Sequence, residues 1–219
     1  MNQIILQPTG NKDAKKHYND TIENPVTIKR IIPFLENRDI DIMKRLYSNS
    51  VPVWGVTPGY NLSNRTKWSR VKIGDVCLFA KDNHIFASGV VTHKVHSKNL
   101  ALELWNKDDS GNTWEYIYFL DEIKNHKIHY KIFNEVVGYA EKYVIRSFSV
   151  LDLEKSANVL DNFNLSSSIH IPAPKENEID DIVKEMDEID GKSSAITRKE
   201  QGYWRKKLFP KGTKKENCA

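Results

Sequence analysis

Cysteine is nearly absent: Cys77 and Cys218 are the only two in 219 residues. Two cysteines cannot build a disulfide-stapled scaffold, and their scarcity suits a reducing, cytoplasmic setting. Long apolar runs are missing as well. No stretch approaches the ~18 residues that cross a bilayer. The N-terminus holds only Ile4-Ile5-Leu6 before turning polar, so neither a membrane span nor a secretory signal is expected. The catalytic vocabulary is equally thin, with no HExxH zinc motif, no Gly-rich phosphate loop and no serine-nucleophile motif. His93 and His96, like His126 and His129, stand three apart on expected strands, which turns each pair to opposite faces and away from a shared metal. Residues 1–174 are therefore expected to hold no catalytic centre, and the chain no cofactor of its own.

Net charge of one sign is also small. Against 33 basic side chains stand 29 acidic ones, a balance of +4. What is present is an uneven distribution of that charge. Residues 1–174 are nearly neutral at +3, residues 175–194 carry −5 and residues 195–219 carry +6. Such a switch marks a linker between units with different partners, or else a solvated helix followed by a tail. Hydrophobic residues at 39% allow a packed core, and a mean hydropathy of −0.57 describes a soluble chain.

Four segments follow from the patterning. Residues 1–50 read as helical: Ile28, Ile31, Ile32, Phe34 and Leu35 cluster around Pro33, and Asp39 can cap a helix carrying Ile40, Met43 and Leu46. Residues 51–165 change texture to short β-branched and aromatic runs. Strands are expected over 51–56, 76–80, 85–95, 100–105 and 113–120, with weaker ones over 127–132 and 142–148. Turns fall at Thr57-Pro58-Gly59, Lys72–Asp75, Lys81–His84 and Asp108–Gly111, a short helix over 65–71, and a bulge at Gly89. Strands at this spacing suggest a small, strongly bent β-barrel, closed by a helix over 149–162. Residues 166–194 form an acidic linker and helix, and residues 195–219 a basic end with a helix over 197–208, Thr197 and Glu200 standing in a capping box.

The barrel segment concentrates aromatic residues. Trp54, Trp68, Trp105 and Trp114 lie there with Tyr60, Phe79, Phe86, Tyr116 and Tyr118, and Arg65, Lys67, Arg70, Lys72, Lys94 and Lys98 are interspersed. Rings can hold a planar base at ~1–3 kcal/mol per stack, and cations suit phosphates. The same rings can also simply fill the barrel. Trp54 is the foremost pocket candidate, because Gly55 and the Pro58-Gly59 turn permit close approach.

Several of these residues together carry a family resemblance. Val53-Trp-Gly-Val-Thr57, Trp68, Lys72-Ile-Gly-Asp75 with Val76-Cys-Leu-Phe79, Phe86-Ala-Ser-Gly-Val90, Leu104-Trp105 and Thr113–Phe119 resemble, in that order, the EVE branch of the PUA-like superfamily, which includes the YTH and SRA domains. The resemblance implies an α+β fold with a PUA-like bent β-barrel flanked by helices and followed by a C-terminal helical linker. It implies a base-binding pocket at Trp54, Gly55, Tyr60, Asn61, Trp68 and Trp114, with Arg65, Lys67, Arg70, Lys94 and Lys98 on phosphates. Arg198-Lys-Glu-Gln201, Tyr203-Trp-Arg205, Leu208-Phe209 and Asn217-Cys-Ala219 resemble the approach to an HNH endonuclease domain. That likeness implies a nuclease truncated at its start, with Cys218 as the first zinc ligand of a missing zinc-binding and cation-dependent domain.

The expected partner is DNA carrying a modified base, 5-methylcytosine or 5-hydroxymethylcytosine favoured, flipped into the pocket so that an HNH enzyme is targeted there. The rivals are a YTH-like reader of N6-methyladenosine in RNA or DNA, a nuclease fragment with residual activity, and a protein-interaction domain whose tryptophans are all core. A homodimer fits the need for two strand cuts, and a membrane partner is not expected.

Overall fold

The structure is a computed structural model and describes residues 2–165. Among the described residues there are eight strands: β1 (Ile4–Pro8), β2 (Val26–Thr27), β3 (Ser50–Val51), β4 (Val53–Val56), β5 (Val76–Lys81), β6 (His84–His96), β7 (Tyr116–His129) and β8 (Ser149–Val150). Six of them form one sheet in the order β4-β7-β6-β5-β1-β8, while β2 and β3 make a separate ribbon. β1 runs parallel to β5, and the other neighbours in the large sheet are antiparallel. The helices are α1 (Lys12–Tyr18), which continues into a π-helical turn over Asn19–Glu23, α2 (Ile28–Ile31), α3 (Asn37–Leu46), α4 (Ser63–Ser69), α5 (Lys98–Trp105), α6 (Tyr130–Val137) and α7 (Leu153–Asn162).

The sheet is strongly curled. β7 and β1 are three places apart, about 14 Å in a flat sheet at ~4.8 Å per strand, yet the Gln7 amide donates to the Tyr118 hydroxyl at 2.6 Å. Likewise Trp54 on β4 meets Phe79 on β5 with ring centroids 5.1 Å apart. Register irregularities along β6, one of them at Gly89, supply the bend. Alternation then sorts the side chains. Ile5, Trp54, Cys77, Phe79, Val91, Tyr116, Tyr118 and Leu120 fill the concave side. On the convex side, Ile4, Leu6, Val76 and Leu78 pack against Phe133, Val137 and Val159 of α6 and α7. Val53, Val95, Ile117 and Phe119 meet Ile31, Met43 and Leu100 of α2, α3 and α5.

This is a mixed α+β fold with a bent sheet flanked by helices, as expected, but its edges β4 and β8 do not pair. It is a half-barrel, and α4 bridges the opening. Lys67 Nζ donates to the Phe148 carbonyl at 2.9 Å beside β8, and Trp68 Nε1 to the Ile117 carbonyl at 3.3 Å on β7.

Five expectations are corrected. The N-terminal 50 residues are not wholly helical: β1 is an inner strand, and Ile4-Ile5-Leu6 is apolar without alternation because both its faces are covered. Residues 100–105 are helix α5, capped by Ser97 Oγ accepting from the Leu100 amide at 3.3 Å. Residues 127–132 divide between the end of β7 and α6, where Tyr130, Phe133, Asn134 and Val137 are buried at helical spacing. Residues 142–148 form no strand, and the closing helix begins only after β8, with Asp152 as its cap. The acidic and basic helices expected beyond 166, and Cys218, lie outside the described residues.

Candidate functional site

β4 is an edge strand, and its alternation sets rings on both sides of one backbone. Trp54 turns into the concave core against Phe79 and Tyr18, with only 4% of its surface exposed. Gly55 turns the other way. A Cβ there would lie 2.3 Å from the Trp114 carbonyl oxygen and 2.7 Å from the Trp105 ring, so the position admits no side chain without displacement of its neighbours. Trp105 ends α5, and Trp114 lies half-buried on the approach to β7.

Both rings meet His17. Its imidazole lies 5.5 Å from Trp105 and contacts Trp114 edge-on at 4.2 Å between centroids. Burial pushes the His17 pKa down to about 4, although Asp13 and Asp20 pull it upward and Lys16 adds to the lowering, so the ring is neutral near pH 7. The π turn after α1 is pinned to the edge of β4 by the Thr21 hydroxyl, which lies 2.7 Å from the Val53 carbonyl oxygen and 2.8 Å from that of His17. One segment, 12–23, thus brings His17 to one group of rings and Tyr18 to the other.

The indole nitrogens of Trp54 and Trp105 are buried without a hydrogen-bond partner among the described residues. A buried donor left unpaired costs about 1–3 kcal/mol, and an indole N–H can only donate. Two clefts near the β5–β6 turn, about 310 and 280 Å³, share Asn83, Tyr130 and Val144 as lining and do not include these rings.

The six expected pocket residues therefore do not form a single cluster. Trp54 faces the concave core, while Gly55 and Trp114 belong to the opposite side of β4. Trp68 covers the end of the concave core from α4, 5.4 Å from Tyr116, with the Lys94 ammonium 4.4 Å above its ring. Tyr60 is 87% exposed beside Asn61 in the loop between β4 and α4.

Of the expected phosphate ligands, Lys94 donates to the carbonyls of Trp68 and Ser69 at 3.2 and 3.1 Å, and burial lowers its pKa against the pull of Asp75. Lys67 is held by Phe148, and Arg70 reaches the Val150 carbonyl at 3.4 Å. Arg65 and Lys98 are exposed.

Sequence reasoning misses His17 as a site residue and leaves Trp105 out of the pocket. A signal for the first exists in the buried stripe Ala14, His17, Tyr18, Thr21 and Ile22, which has helical spacing. Trp105 would follow from reading Leu100, Ala101, Leu104 and Trp105 as one helix face.

Among the described residues no group of three or more His, Cys, Asp or Glu is placed to hold a metal, and no helix is long and apolar enough to cross a membrane. No protein-family profile and no curated protein matches the sequence. Its fold does match a solved structure, the N-terminal domain of Thermococcus gammatolerans McrB bound to m5C DNA. The TM-score is 0.58 at 17% identity, over 75% of this chain and 98% of that one.

Proposed function

We propose that this domain binds DNA carrying a modified base, 5-methylcytosine or 5-hydroxymethylcytosine, and holds that base outside the helix among the rings that flank β4. The supporting observation is the buried, unpartnered indole N–H group of Trp54, next to Gly55 on an edge strand. A pyrimidine offers what it lacks: ring nitrogen and carbonyl acceptors on a planar face that stacks on indole, at ~1–3 kcal/mol per base. The likeness to a domain solved with m5C DNA points to the same ligand class.

On this reading the base enters the concave side of β4 against Trp54, with Trp68, Tyr60 and Asn61 bordering the entrance, while Gly55, Trp105, Trp114 and His17 back the strand from its other side. Segment 12–23 covers the rings and shifts to admit the base. Arg65 and Lys98 contact phosphates, joined by Arg70, Lys67 and Lys94 where their carbonyl contacts permit. Extruding a base costs a few kcal/mol, which stacking, base-edge hydrogen bonds and phosphate contacts offset together. The methyl group itself contributes ~0.8 kcal/mol when buried, about fourfold in affinity, so stronger selectivity requires a close-fitting wall around it. The HNH-like pattern at 198–219 supports the delivery of an HNH nuclease to modified DNA, with zinc and a catalytic cation belonging to that nuclease.

A titration panel of otherwise identical oligonucleotides tests the reading. Duplexes with 5-methylcytosine or 5-hydroxymethylcytosine are expected to bind more tightly than the unmodified duplex. Equal affinities contradict the proposal, and a preference for N6-methyladenosine in single-stranded RNA replaces it with a YTH-like function.

A further inference from the structure

Tyr60 stands at the tip of the loop that joins Trp54-bearing β4 to Trp68-bearing α4, and it is 87% exposed, with Leu62 beside it at 46%. An aromatic ring gains nothing by standing in water, and this one is held there by a shaped backbone. Gly59, Asn61 and Leu62 have φ of 73°, 47° and 59°. For Leu62, which lacks the freedom of glycine, that conformation is strained. Strain of this kind persists only where the surroundings enforce it. Here the Leu62 amide donates to the Gly59 carbonyl at 3.2 Å, and the Asn64 and Arg65 amides to that of Pro58 at 3.1 and 3.4 Å. A Cβ on Gly59 would meet Ser63 and Asn64 at 2.8–2.9 Å, so the loop lies tightly on the start of α4.

Charge identifies the occupant. Between Thr57 and Gly74 the chain carries Arg65, Lys67, Arg70 and Lys72 and no acidic residue. A protruding ring on a fixed bracket, in a stretch of chain whose only charges are positive, complements a surface that is anionic outside and made of stacked planar groups inside. A nucleic-acid duplex has that construction.

We propose that Tyr60 is a strand wedge: its ring enters the duplex stack at the place left by the extruded base, with Leu62 bracing it against the neighbouring nucleotide. This rests on the modified-base reading above and gives Tyr60 a separate task, that of stabilising the opened duplex rather than touching the extruded base. The free energy recovered by stacking the ring offsets part of the unpairing cost.

The test compares the full chain with its Tyr60→Ala and Tyr60→Phe variants on two probes. One is a fully paired 5-methylcytosine duplex, the other the same duplex with an abasic site opposite the modified base, where extrusion is already cheaper. Tyr60→Ala is expected to weaken binding to the paired duplex about tenfold and to the abasic duplex less than about threefold, while Tyr60→Phe binds both like the wild type. Equal losses on the two probes overturn the wedge, since the ring would then be an ordinary contact, and so does a Tyr60→Ala variant within about twofold of wild type on both. A wild-type chain that does not prefer the methylated over the unmethylated duplex overturns the modified-base reading, and the wedge with it.

Discussion

His17 shows how much one side chain contributes at this site. It fills the angle between Trp105 and Trp114 as a neutral ring, and its burial makes protonation costly. The folded pKa of about 4 lies below the ordinary value of 6.5. The unfolded chain therefore takes up a proton between pH 6.5 and 4 that the folded chain refuses. The stability this group contributes is complete above pH 6.5 and is lost as the pH falls to 4, amounting to about 3 kcal/mol at most. Denaturant unfolding followed over that window is expected to show the decline in wild type and a shallower one in His17→Phe; equal slopes would place the histidine outside the packed cluster. At this scale the sequence was legible where a residue announces its constraint locally. Trp54 beside Gly55 is such a case, because a glycine next to a large ring on a strand signals close approach. What Gly55 approaches was not legible: its neighbours Trp105 and Trp114 are distant in sequence and reach it only through the fold.

The elements are legible where local composition is decisive. β5 and β6 follow from apolar and β-branched runs bounded by turns, and the Lys81–His84 turn from Asp82-Asn83, which adopt φ of 49° and 60° at the hairpin tip. Segment 100–105 misled because Leu100, Leu102 and Leu104 alternate like a strand, while the buried set Leu100, Ala101, Leu104 and Trp105 has helical spacing. The cap decides between the two patterns. Ser97→Ala is expected to lower stability by about 1 kcal/mol, as loss of a helix N-cap does, measured by the shift in urea midpoint at constant slope. No change would mean that α5 does not depend on this cap. β1 escaped notice for another reason. Three apolar residues are too few to show any period, and the partner that makes them a strand, β5, lies some 70 residues away.

At the scale of the whole molecule, curling the sheet brings distant strands together and α4 closes the gap they leave. Basic side chains expected to meet phosphates are drawn into that closure: Lys67, Lys94 and Arg70 all donate to backbone carbonyls of α4 or of the strands it bridges. On the proposed reading, affinity comes chiefly from rings around one base and only partly from phosphates, with Arg65, Lys98 and the Tyr60 loop exposed at the rim. The central claim is that the unpartnered Trp54 indole beside Gly55 meets the edge of a base. Proton–nitrogen correlation spectra of the five tryptophan indoles during titration with DNA test it most directly. The account predicts that the Trp54 N–H signal moves on addition of a 5-methylcytosine duplex and stays in place with the unmodified duplex at the same concentration. A signal that stays put while the methylated duplex binds, or that moves equally with both duplexes, would contradict it.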